Sequence, residues 1–213
     1  MKAPTPTKEL TAEGNYRATI YKLVYIGTID GEYRGVPNSS YKVSLSWELN
    51  DEMKVWKEGE EAKPEVVSKV YTFSMGSKSN LRPIVTGIVG GMSDAEAYNF
   101  DIDELVGKSC MLQVKHGESE TGKAKLELTT AQLPKGMQAP TPYNKQVLLT
   151  YQNWNEDIFL SLPEWMRKDM ESTHEYQMLK GTYKPPVAVQ GKGVDLPSID
   201  YGTGEVNVDD IPF

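Results

Sequence analysis

Tyr41-Lys42-Val43-Ser44-Leu45-Ser46-Trp47-Glu48-Leu49 alternates large apolar residues with Lys, Ser and Glu without a break. Successive side chains of a strand point to opposite faces, so this stretch reads as a half-buried strand with its apolar set inward. Working outward, Asn15 to Thr28 is rich in Tyr, Ile and Val and lies between Gly14 and a glycine-bearing turn region at 27–31, the reading of a first strand. A polar loop, Asn50 to Pro64, leads into a third strand over Val66 to Met75. Then the period changes. Leu81, Ile84, Val85 and Ile88 fall at i, i+3, i+4 and i+7, one face of a helix. Ser79 is its expected N-cap, Pro83 fits the first turn, and Gly90-Gly91 ends it. Asp101 to Val106 reads as a single helical turn closing at Gly107. Lys108 to His116 and Lys123 to Leu133 read as two more strands joined by a hairpin loop over Gly117 to Gly122.

The predicted order is β-β-β-α-β-β. A mainly β protein with a helix between the third and fourth of five strands has the order of an OB-fold, a small barrel that closes most of its edges. Order alone does not fix closure, so other five-stranded arrangements stay open. The chain divides into a flexible arm (1–12), this OB-like barrel (13–139), an extension (140–181) and an acidic tail (182–213). The extension opens with a strand-like Gln146 to Tyr151 and continues with Trp154, Phe159, Leu162, Trp165, Met166 and Met170 on two short helices. It is too small to hold its own core, so its Trp and Met residues are expected to anchor it on the barrel. The tail is rich in Gly, Pro, Val and Asp with no helical period, the signature of disorder.

Composition narrows the function. Cys110 is the only cysteine, which excludes an internal disulfide, and with His116 and His174 far apart no zinc site of ordinary spacing can be written. No long apolar run and no signal-peptide pattern is present, so a protein that stays in the cytoplasm, without membrane contact, is expected. No G-x-S-x-G, Walker-type loop or H-E-x-x-H occurs. Asp101, Asp103 and Glu104 are explained by the dipole of the short helix they begin, so neither catalysis nor a metal or other cofactor is expected. Net charge is −7. Residues 1–139 carry 17 Lys and Arg against 19 Asp and Glu, a net of −2, whereas residues 182–213 carry 2 against 5, a net of −3 on a far shorter piece. The barrel is thus near neutral, and a local basic stripe on it remains able to track phosphates.

Single strands are held by aromatic faces that stack on bases and cations that follow the backbone. On an OB-fold the usual surface is the outer face of strands two and three and the flanking loops. Strand two offers Lys42, Ser44 and Ser46 there, a small-residue face that lets a strand lie close. Strand three supplies Lys69, Tyr71 and Phe73, although its phase is open and both rings are as readily core as groove. Tyr33 and Arg34, beside Gly35, pair an aromatic with a cation in the loop after strand one. Lys78 and Arg82 flank the helix start, and Lys115, His116, Lys123 and Lys125 belong to the last hairpin, where the two later lysines are equally readable as a solvated strand face. The expected groove stacks bases on Tyr33 and Tyr71 and contacts the backbone through Arg34, Lys42, Lys69, Lys115, Lys123 and Lys125.

The chain ends Asp209-Asp210-Ile211-Pro212-Phe213. A terminal Phe can enter an apolar pocket while a basic residue caps its carboxylate and the acidic pair meets a basic rim. These five residues resemble the C-terminal tip of bacterial single-stranded DNA-binding proteins, with Val208 where that family often has another acid. The body, through Gly31-Glu-Tyr-Arg-Gly-Val-Pro-Asn-Ser-Ser-Tyr-Lys-Val43, Ser46-Trp-Glu-Leu49, Asp103-Glu-Leu-Val-Gly-Lys108, Leu133-Pro-Lys-Gly-Met137 and Leu162-Pro-Glu-Trp165, resembles a family of tailed-bacteriophage replication proteins over about residues 5–180. The resemblance implies an OB-fold, single-stranded DNA binding in phage replication or recombination, a bacterial host cytoplasm, and recruitment of host replication or repair proteins by the tip. A homo-oligomer is compatible with it. The rival expectation is an adaptor whose OB-like barrel binds protein and never touches DNA, which the near-neutral charge favours.

Overall fold

The computed structural model describes residues 10–183 apart from 34, 57, 120, 121 and 123. The expected arm is therefore described only from residue 10. The tail beyond Tyr183, with Asp209, Asp210, Ile211, Pro212 and Phe213, lies outside the described residues, as do Arg34, Lys123 and the side chain of Tyr33.

The architecture is mainly β. Strands β1 (Gly14–Tyr33), β2 (Val36–Lys54), β3 (Lys63–Thr72), β4 (Ser109–Glu118) and β5 (Ala124–Ala131) form an antiparallel sheet in the order β3-β2-β1-β4-β5. A sixth strand, β6 (Val147–Leu149), lies parallel to β1. Among the described residues β3 and β5 share no ladder, so the sheet is open between them. The alternating stretch is the middle of β2, and Val43, Leu45, Trp47 and Leu49 are all fully buried in the main core. Helix α1 (Leu81–Val89) crosses from β3 to β4 and buries Leu81, Ile84, Val85 and Ile88, the predicted face. Gly90 closes it through its N–H to the Thr86 carbonyl.

The first two strands are longer than expected. The glycine-bearing region at 27–31 is not a turn. The β1–β2 ladder runs on from Gly27–Lys42 to Tyr33–Val36, and Gly27 sits at a bulge with φ of 109°. A β-carbon there would also press on the side chains of Thr173 and Glu175, at 2.9 and 2.8 Å. A second register shift between Ile20 and Lys22 turns β1 from one neighbour to another: residues 14–19 pair with β4, and residues 22–24 with β6. Ser79 is not the N-cap of α1; that position is Asn80, and the Ser79 hydroxyl instead accepts the Leu81 N–H at 3.1 Å. Helix α2 (Asp94–Asn99) carries a capping box made by Ser93 and Glu96. The expected turn at 101–106 is a 3-10 turn over Ile102–Leu105, with the Asp101 carboxylate accepting the Asp103 N–H at 3.0 Å.

The extension holds three helices rather than two: α3 (Glu156–Ser161), α4 (Glu164–Glu171) and α5 (His174–Leu179). Phe159, Leu162, Met166 and Met170 pack with Leu149 over Val24 and Ile26, a second core on the outer side of β1. Trp154 joins a ring cluster with Tyr151, Phe159 and Tyr176. Trp165 is not an anchor: half of it is in solvent. No helix among the described residues is long and apolar enough to cross a membrane.

Candidate nucleic-acid interface

A concavity lies in the gap between the two sheet edges. It is a groove of about 1010 Å³ whose walls are β3 from Lys69 to Thr72, β5 from Lys125 to Thr130, and the start of α1. Four lysines from separate parts of the chain converge on it: Lys42 from β2, Lys69 from β3, Lys78 from the loop before α1 and Lys125 from β5. One carboxylate, Glu127, opposes them. Lys69 Nζ spans the gap, donating to the Leu126 carbonyl of β5 at 3.2 Å. Lys42 Nζ donates to Thr72 Oγ1 at 2.8 Å, and Lys125 Nζ lies 3.3 Å from Glu127 Oε1. Burial and then the nearby Lys125 ammonium press the Lys69 pKa below the usual lysine value, with Glu127 acting the other way. Two cations facing each other from opposite walls are relieved by an anion between them, and a phosphate of a nucleic-acid backbone is such an anion.

The phase of β3 is settled by burial. Val67, Lys69 and Tyr71 share the inward side, while Ser68, Val70 and Thr72 face out. Tyr71 is 4% exposed, so its ring cannot serve as the stacking platform expected of it. Desolvation raises its pKa, and its buried hydroxyl finds no partner among the described residues although the side chain lines the groove. Phe73 follows the strand and is 40% exposed. It packs against Tyr25 and Tyr41 with ring centroids 5.8 and 5.9 Å apart, at the end of the sheet near Lys42. Tyr41 was read with the inward apolar set of its strand and Tyr25 only as part of an apolar-rich first strand, which gave no reason to expect either at an edge. The Tyr25 hydroxyl donates to Asp103 at 2.8 Å.

The remaining candidates separate. Lys115 is exposed on β4 opposite Glu127, one strand away from the groove. His116 is tied to the N-terminal segment, its N–H to Glu13 and its ring to the Thr11 carbonyl. Arg82 is paired with Asp94 at 2.6 Å. Ser44 and Ser46 do not form an open face, because both are buried where the extension packs on the neighbouring β1. Glu48, on the same side, is fully buried and accepts from the Tyr143 N–H, the Asn144 N–H, Asn144 Nδ2 and Asn50 Nδ2 at 2.7–3.0 Å. It clamps the start of the extension to β2.

Among the described residues no cluster of three or more His, Cys, Asp or Glu is placed to hold a metal ion. The chemistry on offer is cationic and hydrogen-bonding, suited to holding an anionic polymer. No protein-family model, curated protein or solved structure matches the chain.

Proposed function

We propose that this protein binds single-stranded DNA without strong sequence preference, through the groove between β3 and β5. The observation that carries the reading is the convergence of Lys42, Lys69, Lys78 and Lys125 on an unpaired sheet seam. Lysines that pair with phosphates act as point charges and read no base sequence, which supports weak sequence preference. The strand order β3-β2-β1-β4-β5, with α1 between β3 and β4, is that of an OB-fold cut between its third and fifth strands, and we read the fold as an opened OB barrel. The resemblance of the body to phage replication proteins supports a role in phage replication or recombination in a bacterial cytoplasm. The terminal Asp209-Asp210-Ile211-Pro212-Phe213 supports recruitment of host replication proteins, and rests on sequence alone.

The rival adaptor reading draws on the near balance of charge over residues 1–139. Anisotropy of a labelled oligothymidine at low ionic strength separates the two. DNA binding predicts saturable association that duplex competes for poorly; an adaptor predicts none.

A further inference from the structure

We infer that a second groove, on the outer face of β2 and β3, is where unpaired bases stack, with Trp56 and Trp165 as the stacking rings. It deepens the DNA-binding reading above and rests on it. The groove encloses about 590 Å³. Its floor lies over adjacent strands at Lys22 and Ser68, with the Ser68 hydroxyl donating to the buried Ser46 beneath at 2.8 Å. Its walls are two indoles from distant parts of the chain: Trp56, two residues past β2, and Trp165 from α4.

Tryptophan is on average highly buried, yet these two are 53% and 50% exposed and line the same cleft. The other two tryptophans behave ordinarily, Trp47 fully buried and Trp154 inside a ring cluster. Aromatic walls beside the Lys22 ammonium suit a flat heterocycle with polar edges better than an apolar peptide side chain, which would offer Lys22 no polar contact. Lys22 is partly buried, and desolvation lowers its pKa, so an anionic group beside it is favoured. Lys54 adds a cation at the rim, 2.5 Å from Glu65.

The Lys69–Leu126 bridge stands between the two grooves. Leu126 lines this one, and its carbonyl accepts the Lys69 bridge at the edge of the cationic groove. A strand passing from one to the other would place phosphates along Lys69 and Lys125 and turn its bases toward the indoles. The surface of this site depends on the extension, since Trp165 comes from α4. Residues 140–181 thereby supply one wall of the binding path as well as covering β1.

Titration of the full chain with oligothymidine at low salt tests this, reading tryptophan emission and anisotropy of a labelled oligonucleotide together. Quenching of the wild-type emission is expected. Trp165→Ala and Trp56→Ala should each weaken binding by about 5-fold or more, the scale of one lost base stack. Trp165→Phe should keep most of the affinity while removing part of the quench; at a half-exposed position it also guards against a folding defect. Unchanged affinity in both alanine variants, with no wild-type quench while the labelled DNA still binds, overturns the stacking site and leaves the cationic groove standing. No binding by the wild type overturns both.

Discussion

Neutralising the seam changes how binding depends on salt, and the size of the change follows from the groove. Each phosphate contact on a single strand contributes a slope of about −0.7 to log K against log salt concentration. Four lysines opposed by Glu127 correspond to three or four contacts, hence a slope of about −2 to −3. Between 50 and 200 mM salt the affinity should then fall about 20- to 50-fold. Replacing Lys69 and Lys125 together by Gln removes the two charges that flank the gap. The slope should become shallower by about 1.4, with affinity lowered most at low salt. Lys115→Gln is the control, since Lys115 stands on β4 outside the groove. Isotherms at five or six salt concentrations, read by fluorescence anisotropy, give all three slopes. A double variant with the wild-type slope, or a Lys115→Gln slope that moves as far as that of the pair, refutes the placement of DNA in the seam.

Three further outcomes concern the scaffold. Glu48→Ala leaves two backbone N–H groups at 143 and 144 without their acceptor, so denaturant unfolding should show a loss of about 2–4 kcal/mol. Gly87→Ala should destabilise by about 1–3 kcal/mol, because a β-carbon there overlaps the Thr130 carbonyl where α1 packs on β5; a conserved melting temperature would contradict that contact. Burial pushes the Cys110 thiol from 9.0 up to about 12. Above about pH 9 the unfolded chain releases that proton while the folded one keeps it, so stability should decline as pH rises past 9, and Cys110 should resist thiol reagents until the protein unfolds.

Much of the sheet was legible because each strand carries two chemically different faces. The Val43 to Leu49 alternation identified both β2 and its core side, and the 3.6-residue period identified α1. What polarity could not report is whether the second face would be covered by another part of the chain. Ser44, Ser46 and Glu48 look like a solvent face, yet they are buried, and the acceptors of Glu48 are satisfied by amides 95 and 96 residues away. Gly27 reads as punctuation, but a glycine at positive φ serves a bulge inside a continuing strand as well as a turn. Helix α2 is too short to show a period; the Ser93-x-x-Glu96 box was its available signal. Of the site, Lys42, Lys69 and Lys125, named from strand position, and Lys78, named beside the helix start, meet in one groove, where the Tyr71 ring is buried and from which Lys115 stands one strand away. Trp56 and Trp165 were missed as a pair because they lie 109 positions apart, and only the docking of α4 on β1 brings them to one cleft.

Hydrogen exchange of the full chain, free and saturated with oligothymidine at low ionic strength, tests the location and the fact of binding in one measurement. Slowed exchange concentrated in β3 over 65–72 and β5 over 124–131 is expected, because a strand lying in the seam shields the amides of both edges. Bound DNA with unchanged exchange along both edges would contradict the seam as the DNA site.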